Sequence, residues 1–347
     1  MHCPRLGLFS LLTAAISAVL VPLTAAHGQP GGTGGTGGTG GGTIYFTLGG
    51  VPCTMNSDGS GKATLPPGVS GEPSRGPHAG LRWFLQVRNI AGEFYPDGSP
   101  RQEVFAVRAD GNEAFTRQLT DQADLQLFTS GRGYVGWSPG DAQVSWVAAR
   151  WMGGVLVDGG VYAGTLSYEA AGNVVGMIAQ PASPLVPCTI VNARPAIQSH
   201  DWSPSGAQMA LHATPSGANQ LFIASVSSGQ SVLLPTSVPA SAPVWSPAGT
   251  KIAFMHAAFG GGVSTINPDG SGQKAIAKPA GQGVHIQNPV WSPTGSHLLY
   301  NHAGSVLNDA RQDIYRVTAT GGSKANLTAD VNTRSLSGTP ARVVGWR

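Results

Sequence analysis

The sequence predicts an all-β fold: a six-bladed β-propeller of four-stranded antiparallel blades, its ring closed by the C-terminal strand joining blade one. Three observations carry this. A short phrase recurs, as "HDWSPSGAQMAL" at residues 200–211, "PVWSPAGTKIAF" at 243–254 and "PVWSPTGSHLLY" at 289–300. Asp-Gly turns such as "SDGSG", "ADGN" and "PDGSG" separate short stretches in which apolar residues alternate, the pattern of hairpins with one buried face. Finally, "ARVVGWR" at residues 341–347 reads as an inner strand with nothing after it, while the first unit lacks an inner strand.

In chain order, residues 1–28 read as a secretory signal. Arg5 precedes an uncharged apolar run, which ends in small residues, the basic–apolar–small order of an export leader. Cleavage after Ala26 or Gly28 fits; an uncleaved anchor is the alternative, since the run is long enough to span a bilayer. Residues 29–42, mostly "GGTGGTGGTGGG", offer no side chain for a core and read as a flexible Gly/Thr linker. Residues 43–347 are the expected propeller.

Blade one supplies "TIYFTL", "VPCTMN" and "KATL". Blade two has "SRGPHAG" where the phrase would stand, then "LRWFLQV" and "EVFAVRADGNEAFTRQLT". Blade three opens with "YVGWSPGDAQVSWVAA" and continues with "GVYAGTLSYEAAGNVVGMIA". Blades four to six follow the phrase closely. Their tryptophans, with Trp346, stand 43, 46 and 55 residues apart, a period typical of propeller repeats. In "SPxG" the proline presets φ and the glycine takes a positive φ, which makes a tight turn. A lone four-stranded sheet would leave both faces wet; packing such sheets radially buries them. Trp137, Trp202, Trp245, Trp291 and Trp346 are the expected wedges between blades, because tryptophan buries a large area.

These units resemble the TolB-like, WD-like propeller repeat, with its Trp-Ser-Pro-Asp-Gly strand, Ile-Ala-Phe strand, Ile-Tyr strand ending in Asp-Gly, and closing Leu-Thr. The likeness spans residues 43–347 and is most specific in blades four to six. The usual Asp of the phrase is Ser205, Ala248 or Thr294 here, and the Gly/Thr linker stands where TolB has its N-terminal α/β domain. The resemblance therefore implies the propeller part only. It also implies docking of other envelope proteins.

Charged residues make up 11% of the chain and the formal net charge is +3. No basic stripe points to nucleic acid, and no second apolar span follows the leader. The expected product is a monomer, exported to the periplasm, cell surface or medium. Cys53 and Cys188 lie in blade one and after blade three, nearly opposite in a six-blade ring. A bridge needs Cα atoms within about 7 Å, so the two are expected to stay unpaired. Asn326-Leu327-Thr328 forms a glycosylation sequon but coincides with a closing strand, and reads as structural.

Candidate site residues follow from the geometry of a ring. His212, His256 and His302 each end a second strand. With strands about 4.8 Å apart they stand roughly 11 Å from the axis and from one another, too far to share an ion that needs nitrogens about 2 Å away. No metal or cofactor is expected. Inner-strand residues sit close enough to the axis to converge on one ligand. Those at the start of inner strands are His200, Asp201, Gln287, Asn288, Arg132, Tyr134 and His78. They are either a hydrogen-bonded, water-filled channel lining or a binding mouth. No G-x-S-x-G elbow and no H-E-x-x-H pattern occurs. The sequence thus favours a non-catalytic protein-binding platform of the cell envelope. The alternative is a propeller-type lyase or hydrolase, or a sugar-binding protein, that uses the polar mouth.

Overall fold

The computed structural model describes residues 41–76, 80, 82–129, 133–257, 261–279, 284–304, 312–331 and 341–347. The expected leader and nearly all of the expected linker lie outside these residues. The regular secondary structure of the described chain is almost entirely strand, joined by turns and loops, with two three-residue 3-10 turns, Glu113–Phe115 and Pro139–Asp141. Among the described residues no helix is long and apolar enough to cross a membrane.

Six antiparallel sheets form a six-bladed propeller. From the inner strand outward, blade four is Ile197–Trp202, Gln208–Ala213, Gln220–Ser225 and Ser231–Leu234. Blade five is Ala240–Trp245, Ile252–His256, Val263–Ile266 and Lys274–Ala277. Blade six is His285–Trp291, His297–Ala303, Gln312–Thr318 and Lys324–Asn326. Blade one joins the two ends of the chain: Ala341–Trp346 pairs antiparallel with Thr43–Leu48, followed by Val51–Asn56 and Ala63–Thr64. The predicted closure is therefore present. It also reaches into the expected linker: Trp346 Nε1 donates to Gly41 O (2.6 Å) and Arg347 N to Thr43 O (2.9 Å).

Blades two and three depart from the four-equal-strand expectation. In blade two the inner strand is only Glu72–Pro73. Its neighbour Trp83–Phe94 runs far past it as a hairpin with Pro100–Arg108, and Arg117–Gln118 lies outside. Blade three has six strands. Val135–Trp137, Gln143–Met152, Val155–Tyr168 and Val174–Met177 make the blade. Leu125–Leu127 pairs beside the extended half of Gln143–Met152, and Val186–Cys188 beside that of Val155–Tyr168. Lengths alone explain the projection: the second strands have 12 and 10 residues here, against 6 in blade four.

The repeated tryptophans are buried and each belongs to a core cluster that spans two blades. Trp137 packs with Trp83 and Leu85 of blade two, Trp202 with Val147 and Val161 of blade three, and Trp245 with Leu221 of blade four. Trp291 packs with Ala253 and Val263, and Trp346 with Val290 and Leu299. Each wedge thus binds its blade to the preceding one.

The "SPxG" turns interlock as well. A Cβ placed on Gly206, Gly249 or Gly295 would meet the proline of the preceding phrase (Pro139, Pro204 or Pro247) at 3.6–3.8 Å. Gly42 takes that place at the closure, against Pro293. There φ is +75° and a Cβ would lie 2.5 Å from Arg347 O, so glycine is required on both counts.

Cys53 and Cys188 are free thiols in strands of blades one and three. Thr328 of the sequon is fully buried. Its hydroxyl donates to Asp313 Oδ1 (3.1 Å) and accepts from Ile314 N (3.1 Å), as a structural reading requires.

Candidate functional site: two channel mouths

Inner strands run from an upper rim to a lower rim, where the "SPxG" turns lie. A cavity of about 380 Å³ occupies the lower end of the axis. Pro139, Pro204, Pro247 and Pro293 border it, together with Trp245, Trp291 and Trp346. Its polar wall is a set of paired charges. Arg75 Nη2 donates to Asp201 Oδ1 (2.7 Å) and Arg75 Nε to Trp137 O (2.8 Å). The Arg75 and Gly76 N–H groups donate to Asp141 Oδ1 and Oδ2 (2.9 and 2.8 Å). Asp201 Oδ2 accepts from Trp245 N (2.7 Å). One continuous polar chain thus links blades two, three, four and five. Beside it, Arg347 Nη2 donates to Glu72 Oε1 (2.7 Å) and ties blade one to blade two.

A second cavity of about 360 Å³ opens toward the upper rim, bordered by Tyr134, Gln86, Asn288 and Arg342. Glu72, Gly133 and Val135 border both cavities. Burial raises the Tyr134 phenol above its usual range, and the Glu72 carboxylate adds to this. Asn288 sits at a bulge with φ +54° and its Nδ2 lies 3.4 Å from Asn301 Oδ1. Asn301 in turn donates to Ala341 O (2.8 Å), so the upper mouth is stitched across the closing strand.

The structure does not gather the predicted residues into one mouth. Asp201 lies at the lower cavity; Tyr134 and Asn288 lie at the upper one. Gln287 is exposed in its strand and borders neither. His200 borders the lower cavity but is 3% exposed. Its Nε2 lies 2.6 Å from Ser145 Oγ in blade three. Ser145 Oγ also accepts from Trp202 Nε1 (2.8 Å) and stands 3.3 Å from Gly136 O. These contacts are satisfied together when the hydroxyl donates to Gly136 and the Nε2 proton points at the serine. Nδ1 then carries a bare lone pair, buried without a partner among the described residues. Burial pushes the His200 pKa down to about 4, against the attraction of Asp201. Arg132 and His78 lie outside the described residues.

The three strand-end histidines share the upper rim by register, opposite Ser199, Ala240 and Ile286. His212 Nε2 meets Asn219 Oδ1 (2.7 Å), His256 Nε2 meets Ser264 Oγ (2.8 Å), and the His302 ring packs on Tyr315. Among the described residues no group of three or more His, Cys, Asp or Glu side chains is placed to hold a metal ion.

No protein-family model matches the chain, and no curated protein matches it. Among solved structures, TolB from Acinetobacter baumannii superposes on 88% of this chain and 67% of its own, with 13% sequence identity and a TM-score of 0.53. The fold is that of a TolB-like propeller. A putative TolB from Agrobacterium tumefaciens covers 76% of this chain and 98% of its own (14% identity, TM-score 0.48). A puromycin-hydrolyzing peptidase from Mycobacterium tuberculosis covers 82% of this chain and 44% of its own (12% identity, TM-score 0.48). At such identities the likeness is one of fold, and fold alone does not fix function.

Two features of this TolB-like propeller escaped the sequence reading. Arg75 is the larger: "SRGPHAG" reads as a worn copy of the phrase, yet its arginine ties blade two to blades three and four. A cation beside the axis position of the phrase was the available signal. The second is the upper wall made by the long hairpins of blades two and three. Its tips expose Phe94 (65%), Met152 (63%), Val155 and Val157.

Proposed function

We propose that the chain is an exported, non-catalytic propeller that binds a protein partner of the cell envelope on its upper face. The observation that carries this reading is the wall of blades two and three. Its tips present an aromatic ring, a methionine and two valines to solvent. Large apolar groups exposed together on a rigid support favour a protein contact. The support is rigid here. Arg101 just below the tip of the blade-two hairpin is nearly buried and pairs with Glu93, Glu103 and Asp121. Gln126 Nε2 reaches the turn at Ser99 (2.9 Å), while Trp151 Nε1 donates to Gln126 Oε1 (2.9 Å), so the two hairpins brace each other. The upper mouth, with Tyr134 and Asn288, stands at the foot of this wall and would take the centre of the contact. Export rests on the leader-like residues 1–28.

The test is affinity capture from envelope extract with three baits: wild type, Phe94→Asp with Met152→Asp, and Val51→Asp. Val51 is also exposed, but in blade one. A partner kept by wild type and Val51→Asp and lost by the double variant is the expected result. Capture by all three baits, or by none, overturns the reading.

A further inference from the structure

The outer strand of each blade leaves one edge unpaired, which is a template for pairing with another chain unless charge or interruption blocks it. Four blades are blocked by charge. Lys62 directly precedes Ala63–Thr64, Arg117 opens Arg117–Gln118, Lys274 opens Lys274–Ala277, and Lys324 opens Lys324–Asn326. Blade three is blocked by interruption, because its outer position is divided between Val174–Met177 and Val186–Cys188, offset along the same neighbour. Blade four has neither device. Its outer strand Ser231–Leu234 is continuous and uncharged, with Val232 (70%) and Leu233 exposed on its opposite faces.

The neutrality extends much further. No Asp, Glu, Lys or Arg occurs between Asp201 and Lys251, so nearly the whole of blade four is without formal charge in a chain whose other blades all carry it. Two copies of a protein with the same net charge repel, and they approach most easily through a face that contributes nothing to the repulsion.

We propose that this edge joins two copies of the chain. The two Ser231–Leu234 strands pair antiparallel about a two-fold axis, so that blade four of each copy becomes half of an eight-stranded sheet. The contact is self-complementary, as a two-fold interface must be. An axis through Leu233 sets Leu233 of each copy opposite its own equivalent and Val232 opposite Leu234, each pair on one face of the sheet. Apolar cross-strand pairs of this kind are favourable, and no like charges face each other. The same pairing through blade five or six would bring Lys274 or Lys324 close to its own copy. The contact leaves the channel mouths and the hairpin wall free, so it stands apart from the proposed partner surface.

The test is sedimentation equilibrium on the full chain between about 1 and about 200 µM, the range suited to an interface smaller than the ~1,200 Å² of stable complexes. Wild type should pass from monomer to dimer across this range. Val232→Lys with Leu233→Lys should stay monomeric, weakening association at least tenfold, with an unchanged melting temperature. Val51→Lys, another exposed apolar position, should dimerise like wild type. A wild type that remains monomeric throughout, or a double variant that still dimerises, overturns the proposal.

Discussion

Arg75 of blade two reaches past blade three to place Nη2 2.7 Å from Asp201 Oδ1 in blade four. Its Nε holds Trp137 O on the way. The pair is about three-quarters buried on both sides, where an arginine fork is not replaced by the point charge of a lysine. Removing it leaves Asp201 with the Trp245 amide alone. Arg75→Ala should cost about 2 kcal/mol, and Arg75→Lys should recover less than half of that. Urea unfolding of the three proteins measures both; a loss within ~0.5 kcal/mol, the range of ordinary surface changes, would count against the strap.

Ring closure rests on Gly42 and Trp346. Trp346→Ala empties a fully buried wedge and should cost about 3–5 kcal/mol. Gly42→Ala meets Arg347 O and a left-handed φ together, and should cost at least ~1 kcal/mol. Gly41→Ala has open space but φ +61°, so it should cost about 1 kcal/mol. Thermal unfolding ranks the three; Trp346 as the mildest would contradict the closure.

Ala242 and Asn288 occupy the same place in their blades, just before Pro-Val-Trp, with φ +48° and +54°. Asparagine tolerates that conformation and alanine does not. Ala242→Gly relieves about 1–2 kcal/mol of strain and gives back roughly 0.5–1 in unfolded-chain entropy. A net gain of about 0.5–1 kcal/mol is expected, with Asn288→Ala losing a similar amount. Denaturant midpoints of the two variants should move in opposite directions.

His200 sets a pH dependence. Its folded pKa of about 4 lies below the ordinary 6.5, so between those values the unfolded chain binds the proton and the folded one does not. Stability is whole above pH 6.5 and falls as pH drops toward 4, by up to about 3 kcal/mol. His212, His256 and His297 are also lowered by burial and act in the same direction. The comparison is therefore between wild type and His200→Gln. The variant should be less stable at pH 7 but lose less on going to pH 4.5. Parallel pH profiles would refute the assignment.

The ring was legible because its information is repeated. Each "WSPxG" carries a wedge, a turn and an interlocking glycine, so one motif predicts blade count, packing partner and closure together. The site was less legible for a stereochemical reason. His200 and Asp201 are neighbours in one strand, as are Gln287 and Asn288, and successive side chains in a strand point to opposite faces. One of each pair faces a cavity with its polar group, while the other turns into the blade interface or out to solvent. Arg75 was hidden because its partners lie 62, 66 and 126 residues away, a separation no local pattern records. The hairpin wall was hidden in strand lengths, which turn signals fix only to within a few residues.

Blade one has a consequence in time as well as in space. Thr43–Leu48 waits for Ala341–Trp346, and roughly 290 residues must be made between them. At synthesis rates of 5–20 residues per second this takes about 15–60 s. Through that interval the first strands of the chain have an unpaired inner edge and no Trp346 wedge, and the late, long-range pairing is of the kind that slows folding most. The nascent chain is therefore held in an open, unfinished state until its last strand appears. Under the export proposed above, in which the polypeptide is threaded through a membrane before it folds, that delay is an advantage built into the order of its strands.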